Sequence, residues 1–193
     1  ISSSFKIIVN CRYEKFTKII NMKNNNFLIG FAFLLISLII VSCNNPSEKH
    51  LELEKAEMQL SENIEMYKSV WDKVINDRQI DLINEASFDT NVTAVVDPEN
   101  IAGIENFKAY YNNYLIGFSD AEFTMVDVFG QGDKMVKHWN FKGTHDGDFF
   151  GVPATGNKVN ISGVTLVKMK DGKIAVEQDF MDFLSFYQQL GIM

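Results

Sequence analysis

The stretch that decides the fold runs from Gly143 to Gly191. It reads Gly143-Thr144-His145, then Gly151-Val152-Pro153-Ala154-Thr155-Gly156, then Lys158 to Lys170 and Lys173 to Met181 joined at Asp171-Gly172, and finally Gln188-Gln189-Leu190-Gly191. Two β-rich runs flanking Asp-Gly are a strong hairpin signal. Leu184 to Leu190 is short and apolar enough for a terminal helix, and Asp182 stands where a helix cap belongs. One acidic residue, Asp179, lies inside the otherwise strand-like second run.

The hairpin has two open registers. A two-residue turn at Asp171-Gly172 puts Thr165 and Asp179 on opposite faces of the sheet. A type I turn over Lys170-Asp171-Gly172, with Gly172 left-handed in a bulge, puts them on one face. Alternation favours the first, because it groups Val167 and Met169 with Ile174 and Val176.

Upstream, Lys134 to Thr144 alternates cleanly, with Met135, Lys137, Trp139 and Phe141 on one face and Val136, His138, Asn140 and Lys142 on the other. Glu122 to Phe129 is a further strand, and Gly130 to Asp133 turns between them. Before these strands the period changes. Leu60, Ile64, Tyr67, Trp71 and Val74 recur at helical spacing, as do Ile104, Phe107, Tyr111 and Leu115. Gln79 to Ala86 is expected as a short helix between them, and Phe88 to Val96 as a short strand. Helices followed by long antiparallel strands predict an α+β fold with the helices packed on one side of a sheet. Tyr67 and Trp71 then either fill the core or line a pocket beneath the sheet.

Charge is divided unevenly along the 193 residues. Residues 1–42 carry five basic groups and one acidic group, whereas the remaining residues carry 13 basic and 24 acidic groups. A body that acidic lacks the clustered Lys and Arg that nucleic acid requires, so no nucleic-acid partner is expected. Both cysteines, Cys11 and Cys43, precede the part expected to fold, which leaves no zinc or disulfide framework there and no metal site.

Residues 22–43 have the proportions of an export signal. Lys23 supplies a basic start, Phe27 to Val41 is an uncharged run, and Ser42 precedes Cys43. The run falls short of the roughly 20 residues a spanning helix needs, as a signal-peptide core does. A small residue before cysteine resembles a bacterial lipobox, which would lipidate Cys43 and anchor the domain in the cell envelope, facing away from the cytoplasm. Residues 44–58 read as a tether or helix extension. Residues 1–21 are set aside as misplaced upstream sequence or a disordered leader.

Across Gly103 to Met193 the chain resembles the SnoaL-like polyketide cyclase (ester cyclase) branch of the nuclear transport factor 2-like, or NTF2-like, superfamily. The residues that carry the resemblance are Gly103 to Phe107, Phe118-Ser119-Asp120, Gly143-Thr144-His145 and Phe150 to Gly156. They continue with Val159, Gly163, Asp171 to Ile174, Asp179, Asp182 and Gln188 to Gly191. The resemblance implies a cone: a curved antiparallel sheet wrapped around N-terminal helices, with an apolar pocket. It also implies intramolecular aldol closure of a polyketide ester, with no cofactor, on a small hydrophobic carbonyl compound. Asp179 falls at the position of the catalytic acid/base. Because family members keep a polar partner opposite that acid, the register with Thr165 and Asp179 on one face is adopted.

The sequence departs from that pattern at two places. Where such cyclases carry a His on the preceding strand, this chain has Thr165, which can hydrogen-bond but cannot take up a proton near neutral pH. The usual polar position before the third helix is apolar here, around Ala94-Val95. Glu177 shares a face with Asp179 and either raises its pKa by repulsion or is solvated. Trp139 is a pocket candidate, and His145 is a supporting group or a turn residue. The alternative is a non-catalytic envelope lipoprotein that binds an apolar ligand or forms a homodimer through its sheet.

Overall fold

A computed structural model describes residues 48–193. Residues 1–21, the segment 22–43 expected as an export signal with Cys43, and the start of the expected tether lie outside the described residues. The compact unit spans His50–Met193.

Helix α1 (Glu48–Ile75) opens the unit. Its first turns, expected as a tether or extension, are exposed on every side, as their charge predicts. Further along, Tyr67, Trp71 and Val74 turn one stripe inward, because residues three and four apart share a helix face. Helix α2 (Ile104–Gly117) does the same with Phe107, Tyr111 and Leu115. Between them, the helix expected over Gln79 to Ala86 is reduced to one 3-10 turn, Ile80–Leu82. The physical reason is Asn84, whose side chain bonds the Asp81 carbonyl and the Ala86 N–H. Those bonds compete with helix continuation.

Among the described residues six strands form one open sheet in the order β2-β1-β6-β5-β4-β3. They are β1 (Phe88–Ala94), β2 (Ile101–Ala102), β3 (Glu122–Gln131), β4 (Lys134–Thr144), β5 (Lys158–Lys170) and β6 (Lys173–Met181). Neighbours are antiparallel except β1 and β6, which pair in parallel, a correction to the fully antiparallel expectation. Strand β5 alternates exposed and buried without a break over all its residues. The face turned inward meets α1 and α2 in a core that includes Tyr67, Trp71, Phe88, Phe107 and Ile174. A second cluster, with Phe118, Trp139, Phe141 and Phe149, is closed by Phe186 and Leu190 of α3 (Phe183–Leu190). The Asp182 side chain caps α3 by accepting from the Ser185 N–H at 2.9 Å.

Two polar ties set where the helices end. Asn76, just past α1, exchanges two bonds with the backbone of Phe123, at 2.8 and 2.9 Å. The Arg78 guanidinium donates to the carbonyls of Leu115, Phe118 and Ser119. Those carbonyls cluster at the C-terminal end of α2, where the helix dipole favours a cation.

The hairpin combines features of both expected registers. Asp171 and Gly172 both have positive φ, 50° and 75°, so the tip is a two-residue primed turn, pairing Lys170 with Lys173. Then the register shifts between Lys168 and Met169. Ala175 is the extra residue of a bulge. From there on Thr165 lies directly opposite Asp179, and the two share a face.

Gly163 decides how Trp139 lies. The two are register partners on β5 and β4, and a Cβ at Gly163 would sit 2.4 Å from Trp139 Cζ2 and 2.7 Å from the Phe180 carbonyl. The indole therefore lies across β5 only because that position has no side chain. Gly163→Ala is expected to cost about 1–3 kcal/mol, the usual range for overpacking, and to displace Trp139. Denaturant unfolding followed by tryptophan fluorescence checks both effects.

Candidate active site

Strand β6 carries both carboxyl groups of the candidate site. Past the bulge, Glu177 and Asp179 face the helices, while Phe180 is exposed.

Glu177 has no exposed surface. Its Oε1 accepts from the Tyr67 hydroxyl at 2.5 Å and from the Trp71 indole N–H at 2.9 Å. Its Oε2 accepts from the Tyr111 hydroxyl at 3.0 Å. Tyr67 and Trp71 stand four apart on α1 and so reach the same point; Tyr111 comes from α2. Burial raises the pKa of Glu177 above the ordinary carboxyl value, the charge of Lys137 pulls it back, and the charge of Asp179 adds to the rise. Burial likewise holds the Tyr67 and Tyr111 hydroxyls well above their usual pKa, helped by both carboxylates. These tyrosines act as neutral donors.

Asp179 is reached from two sides. The Tyr111 hydroxyl is also 3.1 Å from its Oδ2. With one proton, Tyr111 donates to only one carboxyl at a time. When Glu177 is itself protonated, it can donate to Tyr111 and release the tyrosine proton toward Asp179. On the other side, the Thr165 hydroxyl bonds Asp179 Oδ1, and the Trp139 indole donates to Thr165 at 3.0 Å. An indole N–H can only donate. Thr165 therefore accepts from Trp139 and directs its own proton to Asp179.

A cavity of about 50 Å³ opens beside Asp179, walled by Trp71, Tyr111, Tyr114, Phe123, Lys137, Trp139, Phe141 and Met181 among others. One water takes roughly 10–15 Å³ on that measure, so the space holds a few waters or the reacting end of a larger molecule. Lys137 is 4% exposed, and its Nζ lies 5.1–5.4 Å from the ring centroids of Tyr67, Trp71 and Phe123. Such ring faces attract a cation.

Of the residues singled out from sequence, Tyr67, Trp71, Trp139, Thr165, Glu177 and Asp179 thus meet in one network. His145 does not join them. It is fully buried between Phe118 and Phe149, with Nδ1 bonded to Thr155, and it belongs to the loop that closes the second cluster rather than to the cavity wall. Sequence reasoning missed Tyr111 and Lys137. A signal for Lys137 was present: it is the one charged residue on the apolar face of β4. Tyr111 sat in a helical stripe that otherwise reads as core. Among the described residues, no group of three or more His, Cys, Asp or Glu side chains is placed to hold a metal.

Comparison with known proteins now decides the family. The profile of the SnoaL-like polyketide cyclases matches residues 63–190, well over half of the chain. The chain belongs to the SnoaL-like polyketide cyclase family. Among solved structures, a SnoaL-like polyketide cyclase from Jannaschia sp. CCS1 is similar with a TM-score of 0.63 and 24% identity, covering 69% of this chain and 94% of that one. TsrD from Streptomyces laurentii gives 0.61 at 23% identity, covering 68% and 96%. At these identities the likeness establishes the fold. Two curated relatives, the aklanonic acid methyl ester cyclases DnrD of Streptomyces peucetius and DauD of Streptomyces sp. (strain C5), are each 41% identical over 49 residues. That match spans 25% of this chain and only about a third of the relatives' length, 34% and 30%.

The buried carboxyl has a consequence for stability against pH. Because the folded pKa of Glu177 is raised, the unfolded chain loses this proton first, near the usual value of about 4.3. Between there and the folded pKa, the folded state binds more protons, so stability falls as pH rises. Melting temperatures of wild type and Glu177→Gln from acid to neutral pH check this. The wild type is expected to lose stability relative to the variant as pH climbs through that window.

Proposed function

We propose that the cavity carries out cofactor-independent acid–base chemistry on a small hydrophobic carbonyl compound, as a cyclase. Asp179 removes a proton from a carbon next to a carbonyl. The resulting enolate carbon attacks a second carbonyl of the same molecule, forming the ring C–C bond, and the proton on Asp179 passes to the new alkoxide. The single observation that carries this reading is Asp179 itself: a carboxylate at the wall of an apolar cavity, oriented by Thr165 and Tyr111. Fixed donors leave this carboxylate in one orientation for proton transfer. Membership of the cyclase family and the short match to two methyl ester cyclases favour ring closure over other uses of an enolate.

Asp179→Asn retains the shape and one acceptor oxygen but replaces the other by a donor and removes the base. The expected outcome is a loss of about 10²–10⁴-fold, the range for general acid–base catalysis, in deuterium exchange from D₂O into the α-carbon of a diketone and in closure of short diketo esters. An unchanged rate would remove Asp179 from the mechanism.

A second reading is favoured by Thr165 standing where a His would supply a second proton-accepting group. Under it the domain binds its ligand without turnover, or dimerises through the sheet. Ligand recovered from purified protein and identified by mass spectrometry, with no exchange in wild type, would select it.

We also propose that Cys43 is lipidated and holds the domain at the envelope, on the side facing away from the cytoplasm. The support is Lys23, the uncharged run Phe27 to Val41, and Ser42-Cys43. Cys43→Ser is expected to abolish incorporation of labelled palmitate and to shift the protein out of the membrane fraction.

A further inference from the structure

We infer that Lys137 is the receptor for an anionic oxygen of the ligand, so that the cavity takes the enolate or carboxylate form of a small planar carbonyl group. The inference rests on the acid–base reading of Asp179 and extends it by naming what sits opposite the base.

Lys137 is buried to all but 4% of its surface, and its side chain lines the cavity together with Asp179. A cation held away from water is costly unless an anion or a fixed dipole compensates it. None of the ion pairs among the described residues includes Lys137. Glu177 is near enough for its pKa to be lowered by Lys137, yet its hydrogen bonds run to Tyr67, Trp71 and Tyr111, and the two form no ion pair. The ring faces of Tyr67, Trp71 and Phe123 hold the ammonium in place, but a ring face supplies only weak compensation. What remains open to Nζ is the cavity.

Chemistry supplies the missing anion. When Asp179 takes the α-proton, the electron pair of the C–H bond moves onto the carbonyl oxygen, which becomes negative. A fixed cation aimed at the place where that charge develops stabilises it more in a water-poor site than in solution. Asp179 and Lys137 thus act on the two ends of one H–C–C=O unit. The volume of about 50 Å³ suits such a unit, with the rest of the ligand outside. The residue functions as an oxyanion receptor, and its geometry selects ligands able to carry an oxygen anion at the innermost point.

Acetate and acetone test this, because they are planar, similar in shape and differ in charge. Acetate also resembles an enolate. The two tryptophans of the chain both line the cavity, so their indole N–H cross-peaks in a ¹H–¹⁵N spectrum report binding directly. Wild type is expected to bind acetate at least tenfold more tightly than acetone. Lys137→Met should erase that preference, Lys137→Arg should retain part of it, and Asp179→Asn should widen it by removing a like charge. Circular dichroism confirms that each variant is folded. Equal binding of acetone and acetate by wild type, no acetate binding at all, or acetate binding unchanged in Lys137→Met would each overturn the inference. The wild-type comparison requires no variant to fold. Since Asp179→Asn is expected to slow exchange sharply while strengthening acetate binding, failure of the catalytic reading and failure of the anion-receptor reading give different patterns.

Discussion

One carboxyl group that water cannot reach joins the two helices to the sheet. Glu177 of β6 accepts from Tyr67 and Trp71 of α1 and from Tyr111 of α2, so both helices are positioned against a single point on the sheet. A charge-assisted bond contributes about 1.5–3 kcal/mol, and a buried donor stripped of its acceptor costs about 1–3 kcal/mol. The three donors and their acceptor therefore depend on one another. Apolar contacts around Trp71, Phe88 and Phe107 supply the bulk of the burial, but they are tolerant of small rotations. The carboxyl is not, and it fixes the depth at which Tyr111 meets Asp179.

That constraint explains how the site can be polar at its base and apolar at its wall. Glu177 absorbs the inward-facing donors, which leaves Asp179 and Lys137 as the charged groups facing the cavity. Each is held differently. Asp179 is oriented by hydroxyls, while Lys137 is held by aromatic faces that cannot accept its protons in the way a carboxylate would. Under the proposed acid–base reading, a base and a cation fixed on the walls of one small space would move negative charge from carbon to oxygen. Burial of Glu177 is itself destabilising at higher pH, a cost that a core of hydrocarbon would not carry.

Much of the fold was legible in the sequence. Strands β4, β5 and β6 begin and end where alternation and turn residues put them, because each has one buried and one exposed face. Asp182 caps α3 as its position before the helix suggested. The readings that failed are those decided by contacts distant in sequence. The parallel pairing of β1 with β6 brings together segments some 80 residues apart, and nothing local in Phe88–Ala94 encodes its partner. The helix expected over Gln79 to Ala86 was lost to side-chain bonds from Asn84, which offer the backbone a competing arrangement at every Asn of this kind.

The sequence by itself determined the family, the alternation that points Thr165, Val167 and Met169 inward, and the presence of an acid in the last strand. Only the tertiary structure decided that this acid faces the cavity. A two-residue turn at Asp171-Gly172 would have turned Asp179 outward, and the bulge at Ala175 turned it back. Local propensity cannot choose between such registers, because shifting a strand by one residue exchanges its faces at no local cost. The choice falls to burial and hydrogen bonding, that is, to Tyr67, Trp71 and Tyr111 waiting on two helices for a carboxyl that only one register delivers.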